Sequence, residues 1–249
     1  MTTAPPVALS IRIQARLAAV LLPLALAGGA GADTLLVLKA HQDAAEVAGQ
    51  RHEAKDSTIE LWIGEDRISR NDDQVKFVMR PDEILIVDHA RKVYSVLALP
   101  ADLAKLLPPG AETAPEMWKV DAEVTASDER KKIGEWNARR YSVEVTNPMG
   151  LAVRTELWAS TELDIDLAAY HRMARQMLEM QPGTEELAAE MAKVEGFPVL
   201  QETTVDVAGS MVTTREELLS VETRQPPADA YDPPAGYART ELPMAAPPG

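Results

Sequence analysis

Apolar and polar residues alternate with a period of two over much of this chain, and that property decides the class of fold. Ile59, Leu61 and Ile63 are interleaved with Thr58, Glu60 and Trp62. Trp118, Val120, Ala122 and Val124 alternate with Lys119, Asp121 and Glu123. Tyr141, Val143 and Val145 alternate with Ser142, Glu144 and Thr146, and Leu151, Val153, Thr155 and Leu157 with Ala152, Arg154, Glu156 and Trp158. Successive side chains of a strand point to opposite faces, so each segment reads as a strand with one dry and one wet face. Such strands belong to antiparallel sheets.

Three segments are apolar on both parities: Leu35 to Leu38, Ile84 to Val87 and Val93 to Leu99. They read as strands covered on both faces. The intervening segments are turn chemistry, such as Gly64-Glu65-Asp66, Asn71-Asp72-Asp73 and Asn147-Pro148-Met149-Gly150. Short turns between successive strands give a meander. Two late strands are expected near Val199 to Val207 and Met211 to Val221.

Helical spacing occurs in two places. Ala101 to Leu107 has room for one or two turns before Pro108-Pro109-Gly110. From Asp166 onward, Leu167, Tyr170, Met173 or Ala174, and Met177 recur on one helical face until Pro182-Gly183. Thr184 is placed to cap a second helix, with Glu185 and Glu186 in its first turn, Leu187, Met191 and Val194 as its stripe and Gly196 as its end. After Thr223 the chain is rich in proline and is expected to be extended or disordered.

Large antiparallel sheets tend to curl, and a curled sheet with an apolar face needs a cover. The expected fold is therefore mainly β, of the α+β class. It is a curled antiparallel sheet or half-barrel of about a dozen strands, lidded by two to three inserted helices. If alternation is regular, an apolar cavity is lined on the sheet side by Ile59, Leu61, Ile63, Trp118, Val120, Tyr141, Val143 and Leu157. On the lid side it is lined by Leu167, Tyr170, Met173, Met177, Leu187 and Met191. The methionines (Met173, Met177, Met180 and Met191) are read either as adaptable binding residues or as ordinary core filling.

The N-terminus carries Arg12 and Arg16 and no acid, then an apolar run from Leu17 to Ala27, then small residues ending at Ala30-Gly31-Ala32. These are the parts of a cleavable secretory signal, and the run is shorter than the roughly 20 residues that span a bilayer. The expected organisation is a signal over 1–32, a sheet domain over 33–223 and a tail over 224–249. Removing the signal leaves 217 of the 249 residues and takes away two arginines, moving the net charge from −14 to −16. Such acidity speaks against nucleic acid and anionic membrane surfaces as partners. There is no cysteine, hence neither a disulfide staple nor a lipid-modified N-terminal cysteine. No second apolar run of spanning length exists. The mature chain is expected to be free in a bacterial periplasm, with secretion beyond it left open.

The chemistry of catalysis is not visible. There is no G-x-S-x-G, H-E-x-x-H or C-x-x-C, and His41, His52, His89 and His171 lack ligand spacing. No metal, cofactor or catalytic residue is assigned, and a non-enzyme is expected. Asp164 and Asp166 read as a carboxylate pair for a metal or, preferably, as a strand end followed by a helix cap. Glu60 and Glu156 would repel if paired across strands and are expected apart. Trp62, Trp136 and Trp158 read as an aromatic rim for a ligand or partner, or as rings covered by a helix or by the tail.

Several short segments resemble an uncharacterised exported bacterial family. They are Ile59-Glu60-Leu61-Trp62-Ile63-Gly64-Glu65-Asp66-Arg67, Ile86-Val87-Asp88, Lys92-Val93-Tyr94, Gly134-Glu135-Trp136, Arg140-Tyr141, Glu156-Leu157-Trp158, Gly196-Phe197-Pro198-Val199 and Glu216-Glu217-Leu218-Leu219. That family is similar to the lipoprotein-carrier fold of LolA and LolB, in which helices lid an apolar cavity in a curled sheet. The resemblance implies an exported binder of an acyl chain or lipoprotein, acting as carrier or chaperone. The alternative is a periplasmic sensor or protein-interaction module of the same fold with a filled core. An open cavity between sheet and helices separates the two.

Overall fold

The structure is a computed structural model, and it describes residues 32–47, 50–100, 119–148, 150, 152–179, 183–207 and 210–241. The expected signal, the short helix expected at Ala101 to Leu107, and Trp118 lie outside the described residues.

The strands are β1 (Asp33–Gln42), β2 (Ala45–Val47), β3 (Gln50–His52), β4 (Lys55–Ile63), β5 (Ile68–Asn71), β6 (Val75–Met79), β7 (Glu83–Asp88), β8 (Val93–Ala98), β9 (Asp121–Ile133), β10 (Trp136–Thr146), β11 (Ala152–Ser160), β12 (Phe197–Val207), β13 (Ser210–Arg224) and β14 (Ala238–Arg239). Helices α1 (Leu167–Glu179) and α2 (Glu185–Met191) fall between β11 and β12. Twelve strands form one open sheet in the order β14-β8-β7-β6-β5-β4-β1-β13-β12-β11-β10-β9, and β2 and β3 make a separate hairpin. This is the expected curled sheet with inserted helices.

The order is two meanders joined through β1. Strand β1 pairs antiparallel with β4 on one side and β13 on the other, so that Leu36 faces Leu61 and Val221, and Leu38 faces Ile59 and Leu218. Only β14 runs parallel to its neighbour, β8.

Alternation distributes the apolar side chains over both faces. From β1, Leu36 and Leu38 enter a first core beneath α1 while Leu35 and Val37 enter another. From β7, Ile84 goes to the first and Leu85 and Val87 to the other. These are the strands that read as apolar on both parities. The cover of the second face comes from the proline-rich tail: Ala230 and Tyr231 pack with Leu35, Trp62, Val78, Leu85 and Val87. The tail, expected to be extended or disordered, passes through turns and bends and is docked as far as Glu241. Its proline carbonyls close local turns, Pro227 accepting from the amide of Ala230 and Pro234 from that of Tyr237.

A third core lies under α2. Val120, Ala122 and Val124 of the β9 side pack with Tyr141, Val143, Val145 and Leu157, and Leu187, Met191 and Val194 close it. Helix α2 is also tied to the outer strand, because Glu190 accepts the Val124 amide at 2.8 Å. This bond and Lys193 hold the Glu190 carboxyl below the usual range, Lys193 first.

Both helix starts were expected to be capped by side chains. Asp166 does so, its carboxylate accepting the Ala169 amide at 2.8 Å, and this places it at the helix rather than in a metal pair. Thr184 stands at the start of α2 but makes no capping bond. Its hydroxyl donates instead to the Leu178 carbonyl at the end of α1, which ties the two helices together.

Candidate functional site

The feature that stands out is a largely apolar cavity of about 230 Å³ between α1 and the sheet. Its sheet-side wall is Leu38 of β1, Leu61 of β4, Ile68 of β5, Phe77 of β6 and Phe197, Pro198 and Gln201 of β12. Its lid is Tyr170, Met173, Ala174 and Met177 of α1. Phe77 and Phe197 come from strands five places apart in the sheet order. In a flat sheet those strands would lie about 24 Å apart, so two residues lining one small cavity require the sheet to curl.

Part of the lining is polar. Arg70 of β5 and Glu216 of β13 form a two-pronged ion pair there, with Nη2 donating to Oε1 at 2.5 Å and Nη1 to Oε2 at 3.3 Å. Gln201 donates to the same carboxylate at 3.3 Å. Arg70 shares a face with Ile68, and Glu216 with Leu218, because residues two apart on a strand point the same way. The pair therefore projects into the side of the sheet that is otherwise dry. Arg70 and Glu216 also line a small outer groove of about 190 Å³, rimmed by His41, Lys55, Asp72 and Asp73. There His41 meets Asp56 at 2.9 Å and Lys55 meets Asp73 at 2.8 Å. The hydrogen bond that His41 donates to Asp56 is the largest of the effects that raise the His41 pKa.

Tyr170 stands on the lid of this cavity, within electrostatic reach of the Arg70–Glu216 pair. Its ring packs at 4.9 Å from that of Phe197 and 5.4 Å from that of His171. Burial pushes the phenol up to about 12, Arg70 acting in the opposite direction and Glu216 in the same one. Beyond Tyr170 a second cleft of about 450 Å³ runs between the helices, lined by His171, Leu178, Ala188, Met191 and Val194 among others.

Of the residues expected to line one cavity, the structure brings Leu61, Tyr170, Met173 and Met177 to it. Ile59, Ile63 and Leu167 pack in the same core without lining the cavity. Val120, Tyr141, Val143, Leu157 and Leu187 belong to the separate core under α2, and Met191 lines the second cleft as well. Those six are corrected out of the first cavity. The sheet-side residues stand on the β9, β10 and β11 side, beyond β12 in the sheet order, and pack beneath α2 rather than α1. The sequence reading missed Leu38, Ile68, Phe77, Phe197 and the Arg70–Glu216 pair. A charged residue on a dry parity was the signal for the last.

The tryptophan rim is not present. Trp62, Trp136 and Trp158 are all buried. Trp62 lies under the tail. The Trp158 indole N–H donates to Glu156 at 2.9 Å and Lys131 sits 3.9 Å above its ring. Glu156 also takes Arg140 at 2.7 Å, and it lies on β11, four places in the sheet order from Glu60 on β4. Among the described residues no three of His, Asp and Glu gather so as to hold a metal ion, and no helix is long and apolar enough to cross a membrane.

Residues 71–237 match a family described as a domain of unknown function, DUF4412. The chain belongs to the DUF4412 family. No curated protein matches it. Among solved structures, this DUF4412 chain is similar to a DUF1329 family protein from Desulfovibrio piger, with 9% identity, a TM-score of 0.29, and 81% of this chain and 90% of that one covered. It is also similar to a putative outer membrane lipoprotein-sorting protein domain from Vibrio parahaemolyticus, with 7% identity, a TM-score of 0.29, and coverage of 81% and 89%. Both likenesses are distant, and the fold described above stands on the chain's own pairing and packing.

Proposed function

We propose that this DUF4412 protein binds a single acyl chain in the cavity beneath α1 and acts, after export to the periplasm, as a carrier or chaperone for a lipid or lipoprotein rather than as an enzyme. The cavity carries the reading. Its lining is mostly apolar, Met173 and Met177 stand on its lid, and Arg70, Gln201 and Glu216 are its polar groups. An engineered apolar cavity of about 150 Å³ is enough to bind a benzene-sized ligand, so about 230 Å³ suits a short length of alkyl chain.

The energetics fit reversible carriage. Burying a chain yields about 0.8 kcal/mol per methylene. About eight buried methylenes would give about 6 kcal/mol before ordering losses, which corresponds to a Kd between millimolar and micromolar. A ligand held that loosely can be handed on. The apparent leader at 1–32 and the acidity of the rest of the chain support export and a soluble existence. The filled-core alternative describes the packing under α2 but leaves the cavity under α1 without a role.

Native mass spectrometry of the full-length gene product, purified from its host without detergent, tests the proposal together with binding of radiolabelled decanoate. Bound lipid mass or saturable decanoate binding supports it. A bare polypeptide that takes up no labelled fatty acid overturns it.

A further inference from the structure

We infer that Tyr170 sets the length of chain this protein accepts, by standing as the partition between two apolar spaces that would otherwise form one tract. The inference rests on the acyl-binding reading above and goes beyond it by naming the residue that decides chain length.

The two spaces meet at three shared residues. Tyr170, Ala174 and Pro198 line both the cavity beneath α1 and the cleft between the helices. Ala174 is small and Pro198 is compact, so Tyr170 supplies the bulk of the wall. Its ring is held by packing on Phe197 at 4.9 Å. Its hydroxyl makes no hydrogen bond among the described residues, so no directional bond fixes the wall in place.

Polarity gives the tract a direction. Arg70, Glu216 and Gln201 bond to one another in the lining of the first cavity. Tyr170 stands between that cavity and the cleft beyond, which Leu178, Met191 and Val194 line together with His171, Arg172 and Arg175. A fatty acyl chain that leaves its polar head at the Arg70–Glu216 pair and runs on toward the second space meets Tyr170. The occupant is an unbranched chain, because methionine, which lines both spaces and is itself unbranched, conforms to such a shape. Opening the partition would add a second volume of about 450 Å³, so chains that stop at Tyr170 in the native protein would continue between α1 and α2.

The experiment measures displacement of radiolabelled decanoate by saturated fatty acids of increasing length, on the full-length protein and three variants. In the native protein, affinity rises with each methylene and then levels off at a set length. In Tyr170→Ala it continues to rise past that length, by about fourfold per added methylene. Tyr170→Phe keeps the native plateau, since the ring and not the hydroxyl is the wall. Tyr170→Ala combined with Leu178→Trp, which refills the far space, restores the native plateau. If Tyr170→Ala no longer binds decanoate, Tyr170→Leu, which keeps apolar packing while removing the ring, takes its place. A native plateau retained in the Ala or Leu variant overturns the inference while leaving acyl binding intact. A gain in length that Leu178→Trp does not reverse also overturns it. Absence of any fatty-acid binding by the native protein overturns the acyl-binding reading itself, and this inference with it.

Discussion

Tyr231 donates its phenolic hydrogen to Asp33 at 2.7 Å, joining the proline-rich tail to the first residue of β1 across 198 positions of sequence. The Arg67 guanidinium donates to the same carboxylate at 3.2 Å and lies 4.2 Å from the centre of the Tyr231 ring. Two further cations hold the tail by its backbone: buried Lys76 reaches the carbonyls of Asp229 and Asp232, and Arg80 donates to the Tyr231 carbonyl at 2.8 Å. The tail is therefore a layer of the fold, covering the second face of the sheet at β1, β4, β6 and β7.

Tyr231→Phe removes one hydrogen bond to a buried carboxylate and leaves Arg67 as the remaining partner. A hydrogen bond to a charged group contributes about 1.5–3 kcal/mol, so the expected loss is about 2 kcal/mol and a melting temperature lower by about 6 °C. Tyr231→Ala also strips the ring from over Trp62 and Leu85 and should lose about 4 kcal/mol. Scanning calorimetry of the two variants checks both values, and equal effects would contradict the separation of ring from hydroxyl.

The phenol of Tyr170 gives stability a dependence on high pH. Its folded-state pKa, about 12, lies above the ordinary value of 10.0. A group so shifted holds its proton more tightly when folded, so the stability it brings is complete below pH 10 and is lost as pH rises from 10 toward 12. Tyr231 is shifted upward as well, chiefly by burial, and acts in the same direction. Urea midpoints measured between pH 9 and 12 should fall less steeply in Tyr170→Phe than in the native protein. Parallel curves would show that the Tyr170 phenol titrates normally.

Much of the fold was legible because alternation is a strong signal where strands pair without interruption. Ile59, Leu61 and Ile63 share a core, as do Tyr141, Val143 and Val145. The double-apolar stretch at Leu35 to Leu38 did mark a strand covered twice. What alternation cannot carry is which part of a face each helix covers. Tyr141 and Leu157 share a sheet face with Gln201 and Glu216 by direct pairing, yet they pack beneath α2 and not beneath α1. An open cavity and a filled core were both left standing by the sequence. Covering of a tryptophan by the tail was one of the readings offered, and Trp62 fits it; the extent of the docking was not legible, because proline content says how a segment runs and not what it rests on. Tyr231, an aromatic residue between prolines, was the clue to docking.

Gly196 is required where β12 begins. It adopts φ of +95°, and a Cβ there would lie 2.3 Å from the Ser160 carbonyl oxygen. Gly196→Ala meets both a left-handed backbone and a clash with main chain that has no rotamer to move. Destabilisation of about 3 kcal/mol is expected, measured by chemical denaturation. Gly150→Ala is the comparison, since that glycine also has positive φ but nothing within 4 Å of the added carbon. It should lose about 1 kcal/mol.

The Arg70–Glu216 pair should contribute little to net stability. Arg70 is partly in solvent and Glu216 mostly out of it, so desolvation offsets much of the attraction. Arg70→Leu alone leaves the Glu216 carboxylate at an apolar cavity with only Gln201 as partner, and should lose about 2 kcal/mol. Arg70→Leu with Glu216→Leu should recover most of that loss. A double-mutant cycle by urea denaturation measures the coupling. The double variant should also change headgroup selection, binding decanol as well as it binds decanoate.

Met177 offers the most direct way to fill the cavity without disturbing the rest of the lid. It is half-buried on α1 and lines the space beside Phe197 and Leu61, whereas Ala169 and Met173 are the buried residues that hold the helix to its core. Met177→Trp places a ring where the ligand would lie. The protein should keep its far-ultraviolet spectrum and melt no lower than the native form, because apolar contact is gained inside existing space. Labelled decanoate binding should fall at least tenfold, the effect of withdrawing about two methylenes from burial. Met191→Trp, facing the cleft on the far side of Tyr170, should leave decanoate binding unchanged. If Met177→Trp binds decanoate normally while folded, the ligand does not occupy the space under α1.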